Sequence, residues 1–151
     1  MGCDIHISAD RLVNGSRERV TGNFHEGPDP FDWRSYGMFA FLSGVRNYSA
    51  IQPISEPRGL PEDGGYEIYS GDHSASWLSV EELKAHDYDK VIEDRRHTVE
   101  IMPGCFSGGQ TAEEGAGKKT TLRDFLGQAF FDDLKELENI GADRIVFWFD
   151  N

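Results

Sequence analysis

A chain of 151 residues that is 38% hydrophobic and 12% aromatic is large enough to bury one core and too apolar to stay disordered. Its 27 acidic against 15 basic residues leave a formal charge of −12, which excludes a nucleic-acid polymer or anionic lipid as partner unless positive charge is focused locally. No apolar run approaches the roughly 18 residues that cross a bilayer, and Cys3 and Cys105 are too few for a disulfide framework. The expectation is a single domain over residues 1–151, with reduced thiols, in the cytoplasm.

From Cys3 to Asp10 apolar and polar residues alternate, with Ile5, Ile7 and Ala9 on one face and Asp4, His6, Ser8 and Asp10 on the other. Such a half-buried strand, followed by Asn14-Gly15, predicts a hairpin with Ser16–Thr21. Gly22–Trp33 reads as loop. A short helix fits Tyr36–Val45, capped by Ser35, with Phe39, Leu42 and Val45 as its buried stripe. Arg46 to Ser76 shows no period and carries Pro53, Pro57, Pro61 and Gly64-Gly65; irregular stretches of that length are usually functional or mobile.

Ser79-Val80-Glu81-Glu82 is a capping box, so a second helix runs from Val80 to about His86. Lys90–Met102 is expected to be extended, and Gly104–Thr120 to be a flexible, glycine-rich surface loop. Its Gly117-Lys118 does not make a phosphate-cradling loop, because Ala112 stands at the first glycine and Lys119 replaces the serine or threonine. Thr121 then caps the longest helix, Leu122–Asn139, with an apolar face of Leu122, Phe125, Leu126, Ala129, Phe130, Leu134 and Leu137; Gly141 ends it. Arg144–Phe149 is apolar on both faces and reads as a central strand. The fold expected is α+β: a mainly antiparallel sheet, with an N-terminal hairpin and a central C-terminal strand, packed against one long and two short helices.

The opening MGCDIHIS admits three chemical readings. A myristoylation signal needs Ser or Thr where His6 stands. A two-histidine phosphoesterase needs a second H-x-[ST], which His73-Ser74-Ala75 does not supply. What remains is Asp4 and His6 side by side on the polar face of a strand, able to bind a divalent metal or to work as an oriented acid–base group. Asp72-His73 repeats the pairing inside the irregular segment. Near it, Arg46 and Arg58 offer planar forks for phosphate, and Tyr48 and Trp77 offer stacking faces. Packing roles compete with these: Arg58 could bridge loop carbonyls, and Trp77 could fill the core beneath the helix it precedes. His25, His86 and His97 have no partner at ligand spacing. Arg95-Arg96 offsets Glu93 and Asp94. Cys3 reads as a small buried hydrophobe, and Cys105 has no zinc-site spacing around it.

Met1-Gly2-Cys3-Asp4-Ile5-His6, Arg46-Asn47-Tyr48, Glu56-Pro57-Arg58-Gly59-Leu60-Pro61, Asp72-His73-Ser74-Ala75-Ser76-Trp77-Leu78 and Val146-Phe147-Trp148-Phe149-Asp150-Asn151 together resemble a family of small proteins of tailed bacteriophages and prophages. The likeness covers both ends and the middle of the chain, not Arg11–Trp33 or Lys90–Lys119. One departure is Arg34-Ser35-Tyr36, where relatives carry Arg-Asn-Tyr. The resemblance implies a phage or prophage origin, hence a host cytoplasm, and brings no activity with it.

Three functions compete. In the first, Asp4, His6, Asp72, His73 and Arg58 converge at one end of the sheet on a small phosphate-bearing substrate. Arg58 and Arg46 hold the phosphate while the two histidines act as base and acid, or a divalent metal on Asp4, His6, Asp72 and His73 activates water. By analogy with phage proteins that disarm host defences, the substrate would be a host nucleotide immune signal. In the second, the protein sequesters such a ligand uncleaved, as a homo-oligomer with pockets between subunits. In the third, it is an acidic inhibitor of a host defence protein, insensitive to loss of the histidines.

Overall fold

The computed structural model describes residues 2–20 and 29–151, and of residues 97–101 and 106–110 the backbone alone. It is α+β, with every strand pairing antiparallel. The main sheet has the order β2-β1-β8-β3, built from β1 (Asp4–Val13), β2 (Ser16–Arg19), β3 (Asp72–Ser79) and β8 (Arg144–Asp150). Asn14 and Gly15 close the β1–β2 hairpin with φ of 50° and 82°. A two-residue turn with both φ positive matches the right-handed twist of the strands it joins. The final strand is central, as its two-sided apolarity requires.

One face of this sheet is the core wall. Ile5, Ala9, Leu78, Ile145, Phe147 and Phe149 are buried there, and Phe39 of α1 (Tyr36–Ser43) meets Phe149 edge-on at 5.0 Å. α1 is capped by Ser35 Oγ, which accepts from Met38 N–H, and ends at Gly44 in the left-handed conformation. It is buried from Gly37 to Ser43 rather than along one stripe, and Val45 lies beyond its end. The cause is composition: Met38-Phe39-Ala40-Phe41-Leu42 is apolar all round and packs between the sheet and the other helices. α2 (Val80–Ala85) carries the capping box, with Ser79 and Glu82 exchanging bonds.

The single long helix expected over Leu122–Asn139 is two helices. α3 (Leu122–Leu126) and α4 (Gln128–Asn139) meet at Gly127, whose φ of 85° is incompatible with a continuous helix. The break changes the phase of the apolar stripe: Phe130, Leu134 and Leu137 stay buried while Ala129, expected inside, is exposed. Phe31 packs on Phe130 at 4.9 Å, and its N–H and the Trp33 indole N–H both donate to Asp133 on α4. Most of the loop expected over Gly22–Trp33, with His25 and the end of the second hairpin strand, lies outside the described residues.

Two further corrections concern strands. β3 belongs to the stretch read as irregular; a bulge between His73 and Ser76, with Ser74 at φ 55°, destroys the period of two that marks a strand. The supposed loop Gly104–Thr120 contains β6 (Cys105–Thr111), which pairs with β5 (Arg96–Met102), and β7 (Lys118–Thr121), which pairs with β4 (Val91–Asp94). In the β4–β7 pair Glu93 faces Lys119 and Asp94 faces Lys118. Arg95 and Arg96 bind Glu93 and Asp94, as their adjacency implied. Among the described residues no helix is long and apolar enough to cross a membrane.

The segment between α1 and β3 has no regular structure, yet it is tied down as a strap across the sheet. Its Asp63 bonds Arg144, Gly64 and Gly65 carbonyls accept from Arg19, and the Tyr66 hydroxyl donates to Asp10 at 2.7 Å. Asp10 and Arg144 are buried and joined by two hydrogen bonds of 3.0 and 2.7 Å. Burial disfavours the Arg144 charge, but the Asp10 and Asp63 carboxylates outweigh it and hold its pKa above the ordinary value. Burial, then the bond to Asp10, pushes the Tyr66 phenol up to about 12.

His86, at the end of α2, stacks edge-on with Phe41 at 5.1 Å and Tyr88 at 5.3 Å, and its Nε2 is buried without a partner. Burial, reinforced by Lys90 and opposed by Asp87, lowers its pKa from the ordinary 6.5. The folded state therefore binds fewer protons than the unfolded chain below that value, and stability present above pH 6.5 is lost as pH falls. Urea midpoints measured at pH 7.5 and 5.5 should differ less in His86→Phe than in the parent chain; an equal difference would exclude this residue as a cause.

Candidate functional site

The polar ends of three strands meet on the face of the sheet opposite the core. Asp4 of β1 and Asp72 of β3 both pair in register with Asp150 of β8, and His6 pairs with Trp148. Alternation puts Asp4, His6, Trp148 and Asp150 on one side. His6 Nε2 contacts Asp150 Oδ2 at 2.5 Å, and the His6 ring stacks on Trp148 with centroids 6.1 Å apart and planes 18° from parallel. One ligand atom from each of His6, Asp72 and Asp150 lies within 4.8 Å of the other two. Ligands of a tetrahedral ion bound at about 2.1 Å stand about 3.4 Å apart, so closure on a divalent cation draws the widest pair together by about an ångström and parts His6 Nε2 from Asp150 Oδ2. An imidazole with two carboxylates suits borderline and hard divalent ions.

The two aspartates would otherwise face each other across neighbouring strands. Asp72 is steadied by the Tyr69 N–H, which donates to its Oδ2 at 2.9 Å. Asp32 lies close enough for the His6 charge to act on it; burial and then Asp29 raise its pKa. Asp4 is not free to ligate: Arg34 holds it through two bonds of 2.9 and 2.8 Å, which keep its carboxyl below the usual range. Gly2 makes room for that guanidinium, since a Cβ there would sit 2.7 Å from Arg34 Nη1. The geometry thus explains the opening residues by Arg34 and by the acid–imidazole face.

Other expected members stand elsewhere. His73 pairs with Phe149 and its ring lies 6.3 Å from that core phenylalanine, on the face opposite Asp72; its Nε2 contacts Asn151 Oδ1 at 2.5 Å and its Nδ1 contacts Ser74 Oγ. Arg58 does not join the histidines. It forks onto Glu82 at 3.0 and 2.6 Å, donates to the Trp77 carbonyl, and stacks over the Trp77 ring at 4.7 Å. Trp77 is five residues along β3 from Asp72, roughly 15 Å, and is half-buried beneath that guanidinium rather than in the core. Arg46 bonds the Tyr48 hydroxyl at 3.1 Å and overlies Tyr36 at 5.5 Å. Arg46 lies near enough to Cys3 to act on its thiol, whose pKa burial, more than any charge, raises.

Asp150, Trp148, Tyr69 and Arg34 are the contributors that the sequence reading missed. For Asp150 a signal existed: it ends the apolar run Ile145–Phe149 and by alternation shares a face with Trp148. No known protein family, no curated protein and no solved structure matches the chain.

Proposed function

We propose that the protein binds a divalent cation between His6, Asp72 and Asp150 and uses it to hold and hydrolyse a small phosphate-bearing molecule. The observation that carries this reading is the convergence of one imidazole nitrogen and two carboxylates within 4.8 Å. Without a cation, paired carboxylates repel a phosphate, and the arginine at the site, Arg34, is committed to Asp4. A bound ion reverses the local charge, polarises a phosphoryl oxygen and makes a bound water more acidic. The substrate class, a host nucleotide signal, is taken by analogy with phage proteins that disarm host defences.

A sequestering role is favoured by one observation. With His6 engaged as a ligand and His73 on the opposite face, the site lacks the pair of imidazoles expected to share acid–base work. Calorimetric titration with Mn²⁺, Zn²⁺ and Mg²⁺ should show one ion per chain. Phosphate release from a panel of phosphomonoesters and phosphodiesters at saturating Mn²⁺ then separates the two roles: turnover supports the hydrolase, and tight binding without turnover supports sequestration. Absence of ion binding would remove both.

A further inference from the structure

We propose that the ligand of this site is a nucleotide whose base stacks on the ring of Tyr69 while its phosphate meets the cation; the inference rests on the cation reading of His6, Asp72 and Asp150. Tyr69 is 73% exposed, although a ring of that size is ordinarily drawn into contact with the protein. Its backbone is held in a turn, and its hydroxyl reaches Glu67 at 3.5 Å. Asp72 N–H donates to the Tyr69 carbonyl at 3.0 Å and Tyr69 N–H donates to the Asp72 carboxylate, with Gly71 at φ 96° closing the turn. The same turn therefore fixes both a cation ligand and an outward-facing aromatic ring three residues before it.

Trp148 is half-buried, stacked on His6 and two residues before Asp150. It adjoins the same centre, so a ligand bound there changes its surroundings. The Tyr69 N–H stands 2.9 Å from Asp72 Oδ2, which anchors that residue directly beside a cation ligand. Aromatic faces accept any base by stacking, with little demand for hydrogen bonding. The overall charge of −12 opposes a polymer and leaves a mononucleotide or a short oligonucleotide as the fitting class.

The test uses the full chain saturated with Mn²⁺ and titrated with AMP, ribose 5-phosphate or inorganic phosphate, followed by calorimetry and tryptophan fluorescence. AMP should bind about tenfold or more tightly than ribose 5-phosphate and should alter the tryptophan emission. Tyr69→Ala should erase most of that preference, and Tyr69→Phe should keep it. Equal affinity for AMP and ribose 5-phosphate, or an undiminished preference in Tyr69→Ala, would overturn the nucleotide inference while leaving the cation reading intact. Failure of the parent chain to bind Mn²⁺ would overturn both.

Discussion

Arg144→Leu is expected to destabilise the protein by about 3–5 kcal/mol, because it leaves the Asp10 carboxylate buried without its main counter-ion. Asp10 is fully buried, and what remains to it is the Tyr66 hydroxyl at 2.7 Å and Arg17 at 3.4 Å, the latter also bound to Asp143. Against a typical total of about 5–15 kcal/mol this is a large fraction, equivalent to roughly 10 °C in Tm for a domain of this size. Asp63 would lose its bond to Arg144 as well, which loosens the strap at its centre. The double variant Asp10→Leu/Arg144→Leu removes both charges and should recover much of the loss, since an orphaned ion costs more than an absent pair. Urea unfolding of the three proteins decides it: a single variant within about 1 kcal/mol of the parent would show that the buried pair does not hold the strap.

The second large effect concerns the cation. Asp150→Asn and His6→Ala each delete one of three ligands, and each should weaken Mn²⁺ binding by roughly 1,000-fold, more than the 10–100-fold typical of outer partners. Any phosphoester turnover should fall in parallel. Asp4→Asn and His73→Ala should change ion affinity less than about threefold, because Asp4 is committed to Arg34 in an exposed pair and His73 lies on the other face. Calorimetry on the four variants separates a centre built on Asp150 from one built on Asp4 and His73. Loss of binding in Asp4→Asn and His73→Ala with retention in Asp150→Asn would reverse the ligand assignment.

The contrast between these two sets shows what was legible in the sequence. Elements announced by local chemistry were readable: the Asn14-Gly15 turn, the Ser35, Ser79 and Thr121 caps, and the strand Ile145–Phe149. Where a local rule was interrupted, the reading failed. The bulge at Ser74 hid β3, glycine-rich or charged composition hid β6 and β7, and the left-handed Gly127 split a stripe that looked continuous. At the site, the face carrying Asp4 and His6 followed from alternation alone. The remainder depends on which residues β8 brings into register. Asp72 and Asp150 become neighbours through pairing across 78 positions of sequence, and Arg58 is drawn to Glu82 by a contact 24 residues away. Neither is encoded in any short window.

The route of the strap along β3 has a bearing on how the protein behaves in a crowd of its own copies. An open outer strand presents a row of free amides and carbonyls, and such rows seed strand-to-strand aggregation. Here Gly59 N–H already bonds the Ala75 carbonyl, and the Arg58 N–H already bonds Ser76 Oγ. At the far border, β2 is four residues of Ser-Arg-Glu-Arg, too short and too charged to recruit a neighbour. The bonds of Arg58 and Gly59 to β3 therefore matter for colloidal behaviour as well as folding: a variant that releases them bares the flank of β3 as a docking edge for another molecule, and solubility should fail before the core melts.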